Sequence, residues 1–364
     1  MIILLFIILA LVIFAYQFMQ GPQFGKAPSG ERLKRIQASA NYKDGQFQNL
    51  SNTPSLTNGA NYIGVMWEFF FAKDKRNTPA DTLPSHKTDL FKLNPAENVL
   101  VWFGHSSYFM QLDGKKFLVD PVLSGHASPV SFITKSFNGT DVYTTDDIPP
   151  VDYLFISHDH YDHLDHQTIV KLKPKIGKII TGLGTGAHLE YWGYDNNSII
   201  EKDWNEEVLL EEGFTVHTTP ARHFSGRGFK RNGTLWMSFV LTSPTKKIFI
   251  GGDSGYDTHF KTIGDHYGPF DLAILENGQY NKSWKYIHMM PEELVKAAED
   301  LKAKALMPVH WGKFSLAIHA WDEPIIRLVK EAKRKKMPIV HPMIGEAVYL
   351  NDMSYSTVWW EHVE

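Results

Sequence analysis

The stretch Ser157–His166 reads SHDHYDHLDH and places four histidines and three aspartates within ten residues. The residues before it, Val151–Ile156, are apolar and strand-like, and the Pro149-Pro150 pair indicates where that strand begins. The cluster therefore follows a buried strand directly, a position where rigid scaffolds present chemically active side chains. Imidazoles and carboxylates packed this tightly compete for protons unless a cation binds them, and both are ordinary ligands of transition metals. The stretch predicts a metal site, with a solvated polar loop as the alternative.

Three later residues also stand at the ends of apolar strands. His223, Asp253 and His310 each come shortly after such a strand, and glycines flank Asp253 so that the backbone can approach a bound group closely. Each of these residues alone is more often structural or solvated. Together with the first cluster they supply His, Asp and His from separate strand ends, as a dinuclear metal site requires.

The composition excludes several kinds of protein and of site. The chain has 364 residues, of which 43% are hydrophobic and 21% are charged, so it can form a large core and is not disordered. Its formal net charge of -3 provides no basic field, and we predict no nucleic-acid partner. The absence of cysteine excludes disulfides, a thiolate nucleophile and sulfur ligands, so a metal site must use His and carboxylate.

The N-terminal segment, residues 1–20, is strongly hydrophobic. Met1–Tyr16 carries no charged side chain and the run extends to Met19, which approaches the roughly 20 apolar residues of a spanning helix. We predict a transmembrane anchor, because the segment lacks a basic start and a small-residue cleavage site; a cleaved signal segment is the alternative. The basic residues that follow favour a cytoplasmic location of the domain, with export as the alternative: Lys26, Arg32, Lys34 and Arg35.

Residues 21–95 form an extension of mixed character. Its aromatic part, Val65–Phe71, is followed closely by Lys73, Lys75 and Arg76. One interpretation is an arm whose aromatic side chains pack on the main domain. The other is a membrane contact, in which basic residues meet phosphate headgroups while aromatic side chains enter the interface: Trp67, Phe69, Phe70 and Phe71.

From residue 96 to residue 350, short apolar strands alternate first with turns and later with amphipathic helices. Asp113-Gly114 predicts a tight hairpin turn. Pro291–Leu301 and Glu323–Lys335 have the periodicity and the starting residues of helices. This order predicts an α/β fold in which helices cover sheets, with residues 351–364 as a C-terminal tail.

The candidate ligands have a spacing that resembles that of the metallo-β-lactamase superfamily: His158-x-His160-x-Asp162-His163 and the later His223, Asp253 and His310. Longer motifs are similar to the branch that contains N-acylphosphatidylethanolamine-hydrolysing phospholipase D: WFGHSSYFMQLDGKKFLVDPVLS (102–124), ISHDHYDHLD (156–165), PARHF (220–224), IGGDSGY (250–256) and HWGKFSLA (310–317). The resemblance implies an αβ/βα four-layer sandwich with a metal site at one edge of its two sheets.

The resemblance also implies a ligand set shared between two metals: His158, His160 and His223 for the first, Asp162, His163 and His310 for the second, and Asp253 as the bridge. Asp162 and Asp253 are then catalytic as well as metal-binding. Ligands without sulfur suit zinc, with iron or manganese as alternatives, so two zinc ions per chain are expected.

Other polar residues near these motifs have expected roles. Asp165 is expected to accept a hydrogen bond from a ligand imidazole and so to fix its tautomer. His105 and His319 are candidates for holding substrate, supporting a ligand or transferring a proton. Asp159 and His166 are expected to lie outside the ligand set.

Two metals roughly 3.5–4 Å apart activate water for attack, and the chain has no G-x-S-x-G motif that would supply a serine nucleophile. The resemblance therefore implies a membrane-associated phosphodiesterase of the N-acylphosphatidylethanolamine phospholipase D type, acting on a phospholipid or another phosphodiester. A hydrolase of soluble esters or lactones on the same site, and a non-catalytic metal-binding module, are the alternatives. The sequence does not indicate an oligomeric state.

Overall fold

A computed structural model of the chain describes residues 2–57, 59–353 and 357–364. Its α-helices within those ranges are α1 (Ile2–Phe18), α2 (Gly30–Ala38), α3 (Tyr62–Phe71), α4 (His166–Leu172), α5 (Gly186–Tyr191), α6 (His259–Tyr267), α7 (Pro291–Asp300) and α8 (Glu323–Lys335). Its strands are β1 (Tyr42–Lys43), β2 (Gln46–Phe47), β3 (Val99–Trp102), β4 (Tyr108–Leu112), β5 (Lys115–Val119), β6 (Val151–Ile156), β7 (Ile176–Gly182), β8 (Ile199–Lys202), β9 (Glu207–Leu209), β10 (Thr215–Thr219), β11 (Ser238–Thr242), β12 (Lys247–Ile250), β13 (Leu272–Glu276), β14 (Leu306–Val309) and β15 (Ala347–Tyr349).

The larger strands form two mixed sheets. A seven-stranded sheet has the order β15-β3-β4-β5-β6-β7-β8, and a six-stranded sheet has the order β14-β13-β12-β11-β10-β9. The hairpin strands pair antiparallel, whereas β5 to β8 and β12 to β14 pair parallel. Parallel strands end at a common edge, so residues that directly follow β6, β12 and β14 are brought to the edge of their sheets.

Alternating side chains of β3 show how the layers are arranged. Leu100 and Trp102 belong to an apolar cluster that includes Phe239 of the other sheet, so the two sheets pack face to face. Val99 and Val101 belong to a second cluster that includes residues of α4 and α5. Helices α7 and α8 contribute to the first cluster from the far side of the six-stranded sheet. The predicted four-layer α/β sandwich is therefore confirmed. Each fully buried aliphatic side chain in these clusters contributes about 1.5–3 kcal/mol to the stability of the fold.

Local predictions in the main domain also agree with the structure. Asp113 and Gly114 both have positive φ, 44° and 83°, as a type I′ hairpin turn requires between β4 and β5. The two predicted helices are α7 and α8, and α8 has the predicted bounds. Beyond residue 350, Trp359 and Trp360 are buried and pack against Trp311, so the C-terminal segment covers part of the core.

The N-terminal helix α1 differs from the predicted membrane anchor. It has 17 residues, all exposed, and at 1.5 Å per residue it is about 26 Å long, shorter than the roughly 30 Å hydrocarbon core of a bilayer. A turn at residues 19–21 and Pro22 prevent its continuation. Among the residues that the structure describes, no helix combines the length and apolarity needed to cross a membrane. The prediction of a protein anchored in a membrane through residues 1–20 is therefore wrong.

Candidate metal centre

The candidate ligands meet at one edge of the two sheets. The cluster at 158–163 follows β6 of one sheet, whereas His223, Asp253 and His310 follow β10, β12 and β14 of the other. All of these side chains are buried except that of His160, which is half-buried. The structure thus brings the seven predicted residues together from four strand ends.

The first group consists of three histidines whose ring nitrogens face one another. Nε2 of His158 lies 2.9 Å and Nε2 of His223 lies 3.3 Å from the same atom, Nδ1 of His160. One lone pair on Nδ1 cannot serve both neighbours. A metal ion at 2.0–2.1 Å from each nitrogen would set tetrahedral ligand atoms about 3.3 Å apart, which is close to the observed spacing.

The second group consists of Asp162, His163, His310 and His105, whose potential ligand atoms all lie within 4.8 Å of one another. Oδ2 of Asp162 lies 3.5 Å from Nε2 of His163 and accepts a hydrogen bond from Nε2 of His105 at 2.9 Å. His105 is fully buried and its backbone has a positive φ of 52°. The predicted supporting role of His105 therefore has a defined contact, namely the carboxylate of Asp162.

Asp253 lies between the two groups. Its Oδ2 is 3.8 Å from Nε2 of His158 and 3.7 Å from Nε2 of His223. Its Oδ1 is 3.2 Å from Nε2 of His163 and 3.2 Å from Nδ1 of His310. One carboxylate therefore faces both groups, with one oxygen toward each.

Two buried atoms at this point have no hydrogen-bond partner among the described residues, Nε2 of His163 and Oδ1 of Asp253. An unsatisfied buried polar atom costs about 1–3 kcal/mol, and a metal ion would satisfy both. Nδ1 of His163 is already used, because it donates to Oδ2 of Asp120 at 2.8 Å. The donor atoms and their orientation fit a divalent metal ion.

The charge states also suit metal binding. Burial lowers the pKa of the His158, His223 and His310 rings well below the usual value, so these rings are neutral. Burial opposes ionisation of Asp253, but the neighbouring His163 holds the pKa of its carboxyl well below the usual range. Neutral imidazole and ionised carboxylate are the forms that bind metals.

The pKa of His163 shifts in the opposite direction from that of the three rings above. Burial opposes its protonation, yet the carboxylates of Asp253 and Asp162 raise the pKa of its ring well above the usual value. A bound metal ion would neutralise the same two carboxylates.

The acceptor that orients the ring of the candidate ligand His163 is Asp120 rather than Asp165. Asp120 also accepts hydrogen bonds from the backbone and hydroxyl of Ser157, at 2.8 and 2.6 Å. Asp165 instead caps α4, where its carboxylate accepts from Gln167 N at 3.2 Å and from the Thr168 hydroxyl. The signal for Asp120 was its position directly after β5, the parallel neighbour of β6.

Two residues beside the centre were not singled out from the sequence, Glu276 and His288. The Oε2 atom of Glu276 accepts a hydrogen bond from Nδ1 of His288 at 2.6 Å, and both residues belong to a potential metal-ligating group with Asp253 and His310. Burial favours the neutral ring, but the Glu276 carboxylate outweighs it and raises the pKa of His288 to about 9. Burial raises the pKa of Glu276 to about 7, against the effect of His288. The sequence offered one signal for Glu276, which is the last residue of the buried strand β13. The other site residues follow shortly after strands.

Other predicted residues lie outside the ligand groups. His319 stacks on Tyr280 with ring centroids 4.6 Å apart, and both of its ring nitrogens contact backbone atoms of residues 279 and 320. His166 packs on Trp192. Asp159 is buried, its Oδ2 lies 3.2 Å from Nε2 of His188, and it belongs to none of the potential metal-ligating groups.

A cavity of about 300 Å³ opens beside His223 and His288. Tyr62, Val65 and Phe69 of α3 line this cavity. Its other apolar walls come from loops: Leu56, Phe224, Trp284, Ile287 and Leu316. A substrate in this cavity would therefore contact both the metal centre and an apolar surface.

Comparison with known proteins identifies the family. Residues 115–311, more than half of the chain, match the family model described as a beta-lactamase superfamily domain. The chain belongs to the metallo-β-lactamase superfamily. Igni18, a metallo hydrolase from the archaeon Ignicoccus hospitalis, has a similar structure with a TM-score of 0.54 at 21% identity, over 69% of this chain and 97% of that one. This similarity concerns the fold alone.

Relatives within the metallo-β-lactamase superfamily extend the comparison to most of the chain. An uncharacterized protein of Mycobacterium tuberculosis is 38% identical over 327 residues, which cover 88% of this chain and 87% of that protein. The N-acyl-phosphatidylethanolamine-hydrolyzing phospholipase D 1 of Caenorhabditis elegans is 30% identical over 295 residues, covering 74% of this chain and 80% of that protein. Together with the His/Asp cluster, these similarities identify the chain as a metal-dependent hydrolase of this superfamily.

Proposed function

We propose that the chain is a dinuclear phosphodiesterase of the phospholipase D type, which hydrolyses an N-acylated phospholipid to phosphatidic acid. The observation that carries this proposal is the position of Asp253. One of its oxygens faces His158 and His223 while the other faces His163 and His310. Two groups of donors on the two oxygens of one carboxylate support two metal ions rather than one.

We assign the ligands as follows: His158, His160 and His223 to one ion, Asp162, His163 and His310 to the other, and Asp253 to both. Histidine and carboxylate donors favour zinc, with iron or manganese as alternatives. When bound, two divalent cations supply Lewis-acid activation of water and of the phosphoryl oxygens.

The protein groups hold this arrangement and the substrate. Asp253 and Asp162 are the catalytic carboxylates, and His105 fixes Asp162 through its 2.9 Å hydrogen bond. His288 is held by Glu276 and lines the cavity beside His223, where it can contact a substrate oxygen. Because these donors are preoriented, little reorganisation is needed as charge develops on the phosphoryl group.

The cavity supports an amphiphilic substrate. Its metal-facing side would bind the phosphodiester, and its apolar walls, including Val65 and Phe69 of α3, would bind acyl carbon atoms. The Caenorhabditis elegans relative is named for hydrolysis of N-acyl-phosphatidylethanolamine, which supports the same substrate class here.

The outer face of α3 supports a contact with a membrane surface. Trp67, Phe70 and Phe71 are exposed, at 63%, 67% and 71%, whereas Phe69 turns inward and carries Lys73 Nζ 3.8 Å from its ring centre. We propose that the exposed rings enter the lipid interface, with Lys75 and the other basic residues that follow α3 at the headgroups.

The test is product analysis with the metal-loaded protein. Vesicles that contain N-acylphosphatidylethanolamine should yield phosphatidic acid, detected by mass spectrometry, and a panel of lactones and neutral esters is measured in parallel. Rapid lactone or ester cleavage without lipid hydrolysis would reject the phospholipase and leave the ester hydrolase; no turnover of any substrate would favour a non-catalytic metal-binding module.

The membrane contact is tested separately. Replacing Trp67, Phe70 and Phe71 by Ser should lower the rate on vesicles but not on detergent micelles. Phe91→Ser, at an exposed aromatic residue outside α3, is the matched control. An equal effect of the triple variant on vesicles and micelles would contradict the membrane contact alone.

A further inference from the structure

The cavity beside the metal centre contains a positive side chain with no role so far. Arg231 lines the same cavity as His223 and His288. Its guanidinium lies over the ring of Phe224, 4.8 Å from the ring centre. No ion pair joins Arg231 to a carboxylate among the described residues, whereas most other arginines of the chain form one, for example Arg327 with Glu292.

Phe224 connects this arginine with the metal centre. Its ring centre lies 4.4 Å from that of His160 and 4.7 Å from that of His223. The ring of Phe224 therefore lies beside two candidate ligands, His160 and His223, and beside the guanidinium of Arg231. A cation–π contact of this kind contributes roughly 0.5–1 kcal/mol at an exposed site and restricts where the cation can lie.

The loop that carries Arg231 is fixed at its base. Asn232 and Ser225 exchange hydrogen bonds, with the Asn232 N–H donating to Ser225 O at 3.0 Å and Asn232 Oδ1 accepting from Ser225 N at 3.3 Å. Gly226 N donates to Oδ1 of Asp159, inside the 158–163 cluster, at 2.6 Å. The base of the loop is thus attached to the segment that carries the candidate ligands, and the contact with Phe224 places the exposed Arg231 side chain at the cavity.

The described side chains that line the cavity carry positive but no negative charge. Among the described residues that line it, none is Asp or Glu, and Arg231 is the one Lys or Arg. A guanidinium offers paired donors that match the oxygens of a phosphate group. A neutral ester or lactone would gain nothing from this cation, whereas an anionic phosphodiester would be attracted to it.

We propose that Arg231 is the specificity-determining residue that makes this site select anionic phosphodiesters over neutral esters. Its guanidinium binds a non-bridging phosphoryl oxygen of the substrate while the apolar walls bind the substituent. This inference rests on the proposed phosphodiesterase function and names the residue that enforces it.

The experiment compares wild type, Arg231→Gln, Arg231→Glu and Arg231→Lys on two substrates with one leaving group, bis(p-nitrophenyl) phosphate and p-nitrophenyl butyrate. Arg231→Gln should raise KM for the phosphodiester roughly 10-fold to 100-fold, as expected for loss of a charge-assisted hydrogen bond, with kcat changed less than about threefold. Arg231→Glu should raise KM further and Arg231→Lys should restore part of the binding. Ester hydrolysis should not change.

Lys230→Gln is the matched control, because Lys230 is the neighbouring residue, is exposed as Arg231 is, and lines a different cavity. Metal content is measured for every variant and should equal that of wild type. Equal losses for Lys230→Gln and Arg231→Gln, or equal losses on both substrates, would overturn the inference while leaving the phosphodiesterase intact.

A wild type that cleaves no phosphodiester would overturn the proposed function, and binding then decides the role of Arg231. Inorganic phosphate is titrated calorimetrically into the metal-loaded proteins. Weaker binding to Arg231→Gln by at least about tenfold, with Lys230→Gln unchanged, would support the anion site; identical binding to all three proteins would reject it.

Discussion

Asp120 accepts a hydrogen bond from Nδ1 of His163 at 2.8 Å, and this contact turns the other nitrogen of the ring toward Asp253. The contact is made across two parallel strands, because Asp120 follows β5 and the 158–163 cluster follows the adjacent β6. Both oxygens of Asp120 are occupied, since Ser157 donates to each of them. Asp120 therefore fixes the tautomer of His163 that carries its proton on Nδ1. Neither oxygen of the Asp120 carboxylate is left without a hydrogen bond.

We expect Asp120→Asn to weaken metal binding by about 10-fold to 100-fold, as loss of an orienting acceptor usually does. An amide must turn its NH₂ group toward either Ser157 or His163, and each of these positions now holds a donor. The measurement is a zinc titration against a competing chelator. Asp152→Asn is the control, because Asp152 accepts a backbone hydrogen bond from Lys116 in the same sheet, away from the centre. Equal zinc affinity in both variants would contradict the role of Asp120.

The proposed bridging role of Asp253 leads to a prediction of metal content. Wild type should carry two metal ions per chain, mainly zinc, and Asp253→Ala should retain at most one, because both groups lose a shared carboxylate. Hydrolysis should fall by roughly three orders of magnitude, corresponding to several kcal/mol of lost stabilisation. Elemental analysis after gel filtration measures the metal.

His166→Ala is the matched control for Asp253→Ala. His166 belongs to the same histidine-rich stretch but packs on Trp192 outside the ligand groups. It should keep both metal ions and most of the activity. A single ion in wild type, or two ions in Asp253→Ala, would show that the two groups do not act as one bridged site.

The sequence predicted the site residues well where metal-binding side chains directly follow a strand in the chain. His158 to His163 could be predicted as a site because the residues are adjacent in sequence and follow an obvious strand. The orienting acceptor was misjudged, since Asp165 is close in sequence whereas Asp120 is close through strand pairing. His288 and Glu276 meet only through the loop after β13, and no local pattern indicates that contact.

For the N-terminal helix the prediction failed, although the residues that decide its length are adjacent in the sequence. Apolar composition alone favoured a spanning helix, whereas the 17-residue length of α1 depends on where the helix ends. Gly21 and Pro22 were visible in the sequence, but the composition of residues 1–19 outweighed them. Helix length, rather than hydrophobicity, decides whether an apolar segment spans the hydrocarbon core.

The segment that follows α1 packs against the loop that carries the candidate ligands at 158–163, and a substitution that adds one methyl group can test this packing. The Arg227 guanidinium donates to the carbonyl of Gln23 and, at 2.7 Å, to that of Asp159. The backbone N–H of Lys26 donates to Nδ1 of His188 at 2.9 Å, and Nε2 of the same ring faces Asp159 at 3.2 Å. The N-terminal segment and the 158–163 cluster are thus connected through two side chains, Arg227 and His188.

Gly25→Ala should disrupt this packing. A Cβ atom at Gly25 would lie 2.0 Å from Nδ1 of His188, so backbone or ring must move. Gly45→Ala is the control, because its φ of 78° is close to the 70° of Gly25 but no atom lies within 4 Å of its Cβ position. Both variants place a side chain at a positive φ, and Gly25→Ala should lose more, because about 1–3 kcal/mol of overpacking adds to the strain of a backbone conformation (φ 70°, ψ −155°) that essentially only glycine adopts. Urea unfolding of the metal-loaded proteins measures this difference, and coincident curves would contradict it.

His259 gives the protein a pH-dependent stability that does not involve the candidate ligands. Its ring is buried at the start of α6, with Nε2 3.2 Å from the Ser254 hydroxyl, and the nearby charged groups are Asp257 and Arg222. Burial lowers the pKa of His259 from 6.5 to about 4. Between these pH values the unfolded chain binds a proton that the folded chain does not. The free energy of unfolding therefore decreases as the pH falls from about 6.5 toward 4, by up to about 3 kcal/mol for this group.

We expect His259→Gln to remove that part of the pH dependence while keeping a polar contact to Ser254. The free energy of unfolding is measured by urea at pH 7.5, 6.0, 5.0 and 4.5 for wild type and variant. Metal-ligand protonation affects both proteins alike, so the difference between them isolates His259. His266→Gln, at an exposed histidine of the same helix, is the control and should follow the wild-type curve. If the His259→Gln curve runs parallel to wild type across this range, burial of His259 does not control acid stability.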